Sequence, residues 1–342
     1  MRALVKYAKG PGMIEMREIP VPEPGPGEAI VRVKAAAVCA SDVYILHDCF
    51  TYEPPLVLGH EFSGVVERLG PGVSEVCPDD RVVSENNPAA CGICRICEKG
   101  YPNLCPAKQA IGFKSDGCFA EVVKIPAHLL HRVPDGVSFR AAALSEPLAV
   151  AVHAVEDRCG IESGDTVVVL GPGAIGLLAA QVARAEGAGR VIVSGTERDA
   201  ERLACAQRLG FETRNVEKAG GAAQVQVLTD PIGADVVVEC AGAGPAIDLG
   251  LRLLRRAGRM VVVGITGKQS IPVAWDTLLT KGASVFFSYS SRKRNWNKGM
   301  DYLSSKRVDT ESLITRILPL AQWGEAFEQM ERQEGIRFIL EP

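Results

Sequence analysis

The stretch TVVVLGPGAIGLLAAQVARAEG, residues 166–187, runs from an apolar strand through a tight turn into a helical pattern. Its turn, Gly171-Pro172-Gly173-Ala174-Ile175-Gly176, reads G-x-G-x-x-G. In such a turn the first glycine makes the bend and the second lets backbone approach a pyrophosphate. The third permits close helix packing, and the helix N-terminus attracts the anion. The motif alone could be a glycine-rich turn kept for packing. Directly after a strand and directly before a helix, it predicts dinucleotide binding.

Outward from that stretch, apolar strands alternate with amphipathic helices: RVIVSG, DAERLACAQRLG, ADVVVEC, AIDLGLRLLRRAG and RMVVVG. Strands separated by helices imply right-handed crossovers and a doubly wound parallel sheet, so residues 151–289 are expected to form a Rossmann coenzyme domain. Residues 1–150 read differently, as short strands broken by Pro and Gly: MRALVKYA, AIVRVKAAAV, FSGVVERLG and DRVVSE. They predict an irregular β domain, in an α/β chain overall. The last stretch, 290–342, has mixed character, with a helix around 297–304 and a short strand IRFIL, and is expected to complete the first domain.

The residues after RVIVSG bear on the choice of dinucleotide. An acidic side chain there would hold the adenosine ribose of NAD, whereas a small residue with a nearby Arg leaves room for the 2′-phosphate of NADP. Gly195, Thr196 and Arg198 could cradle that phosphate. Glu197 could repel it or hold the ribose hydroxyls, or could merely begin the next helix beside Arg198 and Asp199. The expectation is NAD or NADP.

CGICRICEKGYPNLC places Cys91, Cys94, Cys97 and Cys105 within one short loop. Two-residue gaps let successive thiolates fold round one tetrahedral zinc ion, a closed and therefore structural site. Disulfides are the alternative, but no signal peptide is seen and the chain reads as cytoplasmic, where thiols stay reduced. Of the other cysteines, Cys49, Cys77, Cys118, Cys159, Cys205 and Cys240 are expected to behave as small buried hydrophobes.

The 342 residues, 47% hydrophobic, allow a sizeable core and about two domains. A net charge of −3 argues against nucleic acid as a partner. The basic run Arg292-Lys293-Arg294 reads as a solvated loop, and no apolar stretch nears the roughly 20 residues of a membrane span.

Cys39, His60 and Glu61 supply a thiolate, an imidazole and a carboxylate, and Glu146 a further carboxylate. Three such ligands with one open position suit a catalytic zinc. Each has a plainer reading, as a core thiol, a backbone-bonded histidine or a surface pair, and spacing alone leaves the question open.

The succession Cys39-Ala40-Ser41-Asp42, GHEFSGVV, the four-cysteine lobe, DGCFAEVV, SEPLAVAVHAV and VVVLGPGAIGLLAAQVA resembles the zinc-dependent medium-chain dehydrogenases across essentially the whole chain. Glu146-Pro147-Leu148, where alcohol dehydrogenases proper carry a cysteine ligand, is similar to the sorbitol (L-iditol) and threonine dehydrogenase branch. The resemblance implies a GroES-like catalytic domain, a Rossmann domain and a site in the cleft between them. It makes Cys39 and His60 zinc ligands, with Glu61 and Glu146 both candidates for direct ligation. Ser41 becomes a proton relay, while Cys240, Ala241, Gly242, Val263, Gly264 and Ile265 line the nicotinamide. Two zinc ions per chain follow, and a homodimer or homotetramer pairing through strands near 283–289.

Three positions depart from that pattern. Ala40 replaces a usual glycine, Tyr44 stands where many relatives have a histidine, with His47 three residues on, and Ser288-Tyr289-Ser290-Ser291 lacks an Arg-Tyr pair that holds polyols. The expected reaction is oxidation of a secondary alcohol, a polyol or sugar alcohol, to the ketone. Alternatives are threonine 3-dehydrogenase-like or short-diol activity, and a non-catalytic zinc-thiolate redox sensor that would need only the four-cysteine lobe.

Overall fold

Charged residues alternating with apolar ones turn Glu28–Ala37 into a strand whose Arg32 and Lys34 are exposed while Val31, Val33 and Ala35 are buried. It is the third strand of the computed structural model, which describes residues 1–87, 90–218, 220, 221, 223, 225, 229 and 232–342. Among the described residues the strands are, in chain order, β1 (Arg2–Lys6), β2 (Ile14–Glu18), β3 (Glu28–Ala37), β4 (Leu56–Val57), β5 (Glu61–Leu69), β6 (Arg81–Ser84), β7 (Val122–Pro126) and β8 (Leu130–Arg132). There follow β9 (Thr166–Leu170), β10 (Arg190–Gly195), β11 (Glu212–Asn215), β12 (Ala234–Glu239), β13 (Leu254–Val262), β14 (Ser284–Phe287), β15 (Ile314–Pro319) and β16 (Arg337–Glu341).

One unit comprises Met1–Glu146, Arg292–Ser304 and Asp309–Pro342. Its larger sheet runs β15-β16-β3-β5-β6-β8, with β7 also paired to β3, and a smaller sheet runs β2-β1-β4. All pairings are antiparallel except β15 with β16. Val33, Phe62, Phe119, Phe327 and Phe338 lie in one buried core, so the C-terminal strand packs with the N-terminal ones.

The other unit, Pro147–Ser291 with Ser305–Val308, holds six parallel strands in the order β11-β10-β9-β12-β13-β14. The order reverses between β9 and β12, the switch point of a doubly wound sheet. Val168, Ile192, Val237, Leu251 and Met260 fill its core.

Four local expectations need correction. The helical pattern read through LLRRAG stops at Leu253, and β13 begins at Leu254. Lys281 ends that helix by donating to the carbonyls of Leu251, Arg252 and Leu254 at 2.8, 2.7 and 2.6 Å. The late helix runs Lys293–Ser304, so Lys293 and Arg294 sit in its first turn rather than in a loop. It starts early because Trp296 is buried, stacked on His131 at 5.7 Å between centroids. Finally, Cys49 and Cys77 are exposed and Cys240 is half-buried; only Cys118, Cys159 and Cys205 of that group are buried.

Candidate active site and coenzyme site

The end of β3 is where the chemistry gathers. Ala37 pairs with Glu61 of β5 on one side and with Ile339 of β16 on the other, so three distant segments meet beside Cys39. Cys39 caps the helix Ala40–Leu46, and its N–H donates to Asp42 Oδ2 at 2.9 Å. Ala40 is the first residue of that helix, a position with no need of glycine. The other Asp42 oxygen lies 3.6 Å from His60 Nδ1, and His60 Nε2 lies 3.9 Å from Glu61 Oε1. One ligand atom each from Cys39, His60 and Glu61 falls within 4.8 Å of the others.

These donors suit a metal ion. Both Glu61 oxygens are buried without a hydrogen bond, and a buried carboxylate so placed needs a cation. Arg337 supplies part of that charge, its Nη2 standing 3.3 Å from Glu61 Oε1 while Nη1 donates to the Val38 carbonyl at 2.8 Å. Burial pushes the Glu61 carboxyl up against the opposing pull of Arg337 and His60. Burial works to lower His60, but Asp42 and Cys39 outweigh it and hold the imidazole well above its usual value. Phe113 packs on the imidazole at 4.8 Å.

Glu146 is buried nearby but outside that trio, its Oε1 accepting from Asn86 Nδ2 at 2.6 Å. Burial, then the charge of Glu61, pushes its carboxyl up to about 7 against His60, Arg337 and Lys108. The Ser41 hydroxyl is buried with no hydrogen-bond partner. His47, by contrast, lies at the exposed end of its helix, paired with Glu331 at 2.8 Å, and Tyr44 is exposed too.

Asp42, Asn86, Lys108, Phe113 and Arg337 went unread in the sequence. Only Asp42 carried a signal, an acidic residue three positions after a helix-capping one. Nothing local links Arg337 to Glu61.

In the four-cysteine loop, Sγ atoms stand 3.5 Å apart for Cys94 and Cys97, 3.9 Å for Cys94 and Cys105, and 3.6 Å for Cys91 and Cys105. A tetrahedron with Zn–S of about 2.3 Å has edges of about 3.8 Å, and a disulfide needs about 2.05 Å. The thiolates therefore fit one zinc ion. The Cys91 N–H draws the Cys105 thiol down to about 7, toward the thiolate a metal requires.

In the second unit, Gly171 has φ +95°, and a Cβ there would lie 2.8 Å from the Ala241 nitrogen. A Cβ at Gly176 would strike the Gly171 carbonyl at 2.0 Å, whereas the space beside Gly173 is open. Ala174 and Ile175 open the helix Ala174–Ala185. Gly195 has a packing reason of its own, since a Cβ would meet Pro172 Cγ at 2.8 Å. Thr196 donates through N and Oγ1 to Asp199 Oδ2, and Glu197 accepts from Asn215 Nδ2 at 2.6 Å; Arg198 is exposed. Cys240, Ala241 and Gly242 follow β12, and Val263, Gly264 and Ile265 follow β13, so both sets lie at the carboxyl edge of the sheet beside the fingerprint turn.

Residues 25–135 match the family model "Alcohol dehydrogenase GroES-like domain", and residues 174–305 match "Zinc-binding dehydrogenase". A sorbitol dehydrogenase of Halalkalibacterium halodurans is 38% identical over 100% of this chain and 99% of its own. The chain belongs to the zinc-binding dehydrogenases. A D-arabitol-phosphate dehydrogenase of Enterococcus avium is 33% identical to this zinc-binding dehydrogenase over 100% of the chain and 97% of its own. An NADP-bound structure of a Sinorhizobium meliloti protein described as a zinc-binding dehydrogenase superposes with a TM-score of 0.92, at 30% identity, covering 100% and 99% of the two chains. This dehydrogenase is thus an oxidoreductase that uses zinc and NAD(P). No helix among its described residues is long and apolar enough to cross a membrane.

Proposed function

We propose that this dehydrogenase reversibly oxidises a secondary alcohol of a polyol or sugar alcohol to the ketone. The observation that carries the reading is the donor trio of half-buried Cys39 with buried His60 and Glu61, with Glu146 and Ser41 beside it, in a chain so similar to a sorbitol dehydrogenase. Cys39, His60 and Glu61 hold the catalytic zinc, and Glu146, bonded to Asn86, stands ready as an exchangeable ligand or proton acceptor. Zinc, when bound, polarises the substrate hydroxyl and lowers its pKa. NAD(P), when bound, would supply the hydride acceptor.

The chain's own residues do the rest. Asp42 sets a carboxylate oxygen 3.6 Å from His60 Nδ1, a charge partner behind the imidazole, and Arg337 steadies Glu61. Glu146 accepts the hydroxyl proton, or the Ser41 hydroxyl passes it on by giving up its own to solvent, as the carbinol C–H bond breaks with its hydride leaving for the coenzyme and the C=O bond forms. Carboxylates and a hydroxyl around the centre suit a polyhydroxylated substrate better than a long apolar alcohol. Residues 1–150 with 290–342 carry this chemistry, residues 151–289 hold the coenzyme, and Cys91, Cys94, Cys97 and Cys105 hold a structural zinc.

The protein acts in the cytoplasm, where thiols such as Cys91, Cys94, Cys97 and Cys105 stay reduced and able to hold zinc, and as a homodimer or homotetramer. The edge strand β14 supports self-association, since Phe287, Trp275 and Leu279 near it are 71%, 71% and 75% exposed around an apolar groove of about 1040 Å³.

Initial rates on a polyol panel, free and phosphorylated, with NAD or NADP and a chelator control, test the reading. Chelator-sensitive turnover of a polyol supports it. Turnover of threonine or a short diol alone, or of nothing, overturns it.

A further inference from the structure

Glu239, the last residue of β12, is a buried carboxylate without a counter-cation. Its exposure is 0%, and among the described residues no lysine, arginine or histidine forms an ion pair with it. Oε1 accepts the N–H groups of Ala241 at 2.9 Å and Gly242 at 2.8 Å. Oε2 is buried with no hydrogen bond, and a Cβ on Gly264 would lie only 2.6 Å from it. The Glu239 carbonyl also receives the N–H groups of Val263 and Gly264 at 2.9 and 3.1 Å. One residue therefore ties together both loops at the carboxyl edge of β12 and β13, next to the turn at Gly171.

An isolated buried carboxylate is costly: burial raises the Glu239 carboxyl against the N–H groups that hold it, and a positive charge arriving with a ligand would relieve that cost. The position is the switch point of the sheet, where dinucleotides bind. Of the two redox forms of the coenzyme, only the oxidised one brings a positive ring. We propose that the Glu239 carboxylate is the counter-charge of the oxidised nicotinamide ring, raising the affinity for oxidised relative to reduced coenzyme. This rests on the reading that the loops 240–242 and 263–265 line the nicotinamide. Gly264, by lacking a side chain, lets its backbone pack close against Oε2, so the carboxylate acts on the ring from beneath the loop rather than by direct contact.

The test is the ratio of dissociation constants for oxidised and reduced coenzyme, measured with whichever of NAD and NADP binds, by fluorescence titration and competition. In Glu239→Gln the affinity for the oxidised form should fall roughly tenfold, the scale of one unit charge acting over about 12 Å at an effective dielectric constant of about 20, with the reduced form nearly unchanged. Glu239→Asp keeps the charge and should keep the ratio even if both affinities drop. An unchanged ratio in Glu239→Gln, or equal loss of both forms, overturns the proposal while leaving the polyol reading intact. The wild-type protein gives an arm that no folding defect can blur. Its oxidised coenzyme must bind more tightly than the same molecule without the ring, ADP-ribose for NAD or 2′-phospho-ADP-ribose for NADP, and equal binding overturns the proposal. Failure of the wild-type protein to bind any dinucleotide overturns the coenzyme assignment and the proposal together, whereas binding without polyol turnover counts against the substrate alone.

Discussion

The guanidinium of Arg337 lies 3.3 Å from the carboxylate of Glu61, and both side chains are shut away from solvent. The pair closes the protein side of the Cys39–His60–Glu61 trio. Removing one partner of a buried pair leaves the other uncompensated, which costs about 3 kcal/mol or more. Arg337→Met should therefore lower the stability of the chelator-stripped protein by that amount in urea unfolding, and bound zinc should restore part of it by offsetting Glu61. Equal losses with and without zinc would show that the guanidinium serves packing alone.

Asp42 acts on His60 from behind. Its replacement by Asn should weaken zinc at the Cys39 site about 10- to 100-fold, the usual range for a group that orients a ligand. Competition with a chromophoric chelator reads this directly. Zinc at the four-cysteine loop should hold, and loss from both sites at once would point to general unfolding.

The two metal sets should separate by mutation. Cys39→Ser is expected to remove one of two zinc ions per chain and abolish turnover while dinucleotide binding persists. Cys94→Ser should remove the other ion and lower the melting temperature by several degrees. Metal analysis and differential scanning calorimetry check both, and identical behaviour of the two variants would undo the division into a catalytic and a structural ion.

Glu146 sets a pH dependence. Its carboxyl, pushed up to about 7 by burial and then by Glu61, holds its proton more tightly in the folded than in the unfolded chain, where the value is 4.5. Stability of the chelator-stripped protein must then fall as pH rises from about 4.5 to 7. Glu61 is raised too and adds to the slope. Glu146→Gln should flatten the curve without levelling it, as urea unfolding between pH 5 and 8 would show. A slope identical to wild type would remove Glu146 as its source.

Leu279→Glu and Phe287→Glu test the apolar groove beside β14. Each places a charge on an exposed apolar surface and should shift the protein to smaller species in light scattering, with its secondary structure unchanged. A wild-type protein that is monomeric at micromolar concentration would refute the self-association reading.

The order of strands and helices from Thr166 to Val262 was legible because each carries its own period and the glycine turn marks their junction. The close spacing of Cys91, Cys94, Cys97 and Cys105 was legible for a similar reason, since a local cluster can be read without the fold. Where the sequence misled, a partner distant along the chain had intervened: Lys281 ends the helix before Leu254, and Trp296 draws the late helix forward to reach His131.

The amino-acid sequence by itself determined the parallel nucleotide-binding sheet, the four-thiolate loop and the donors Cys39, His60, Glu61 and Glu146. Those features are set by periodicity and by the chemistry of the side chains. Tertiary structure decided which donors converge, because β3 alone brings β5 and β16 to one place. It separated Glu146 from the trio, paired Arg337 with Glu61 and left Glu239 without a cation. Such outcomes depend on distances through space between residues far apart in the chain, and burial then converts those distances into charge and protonation.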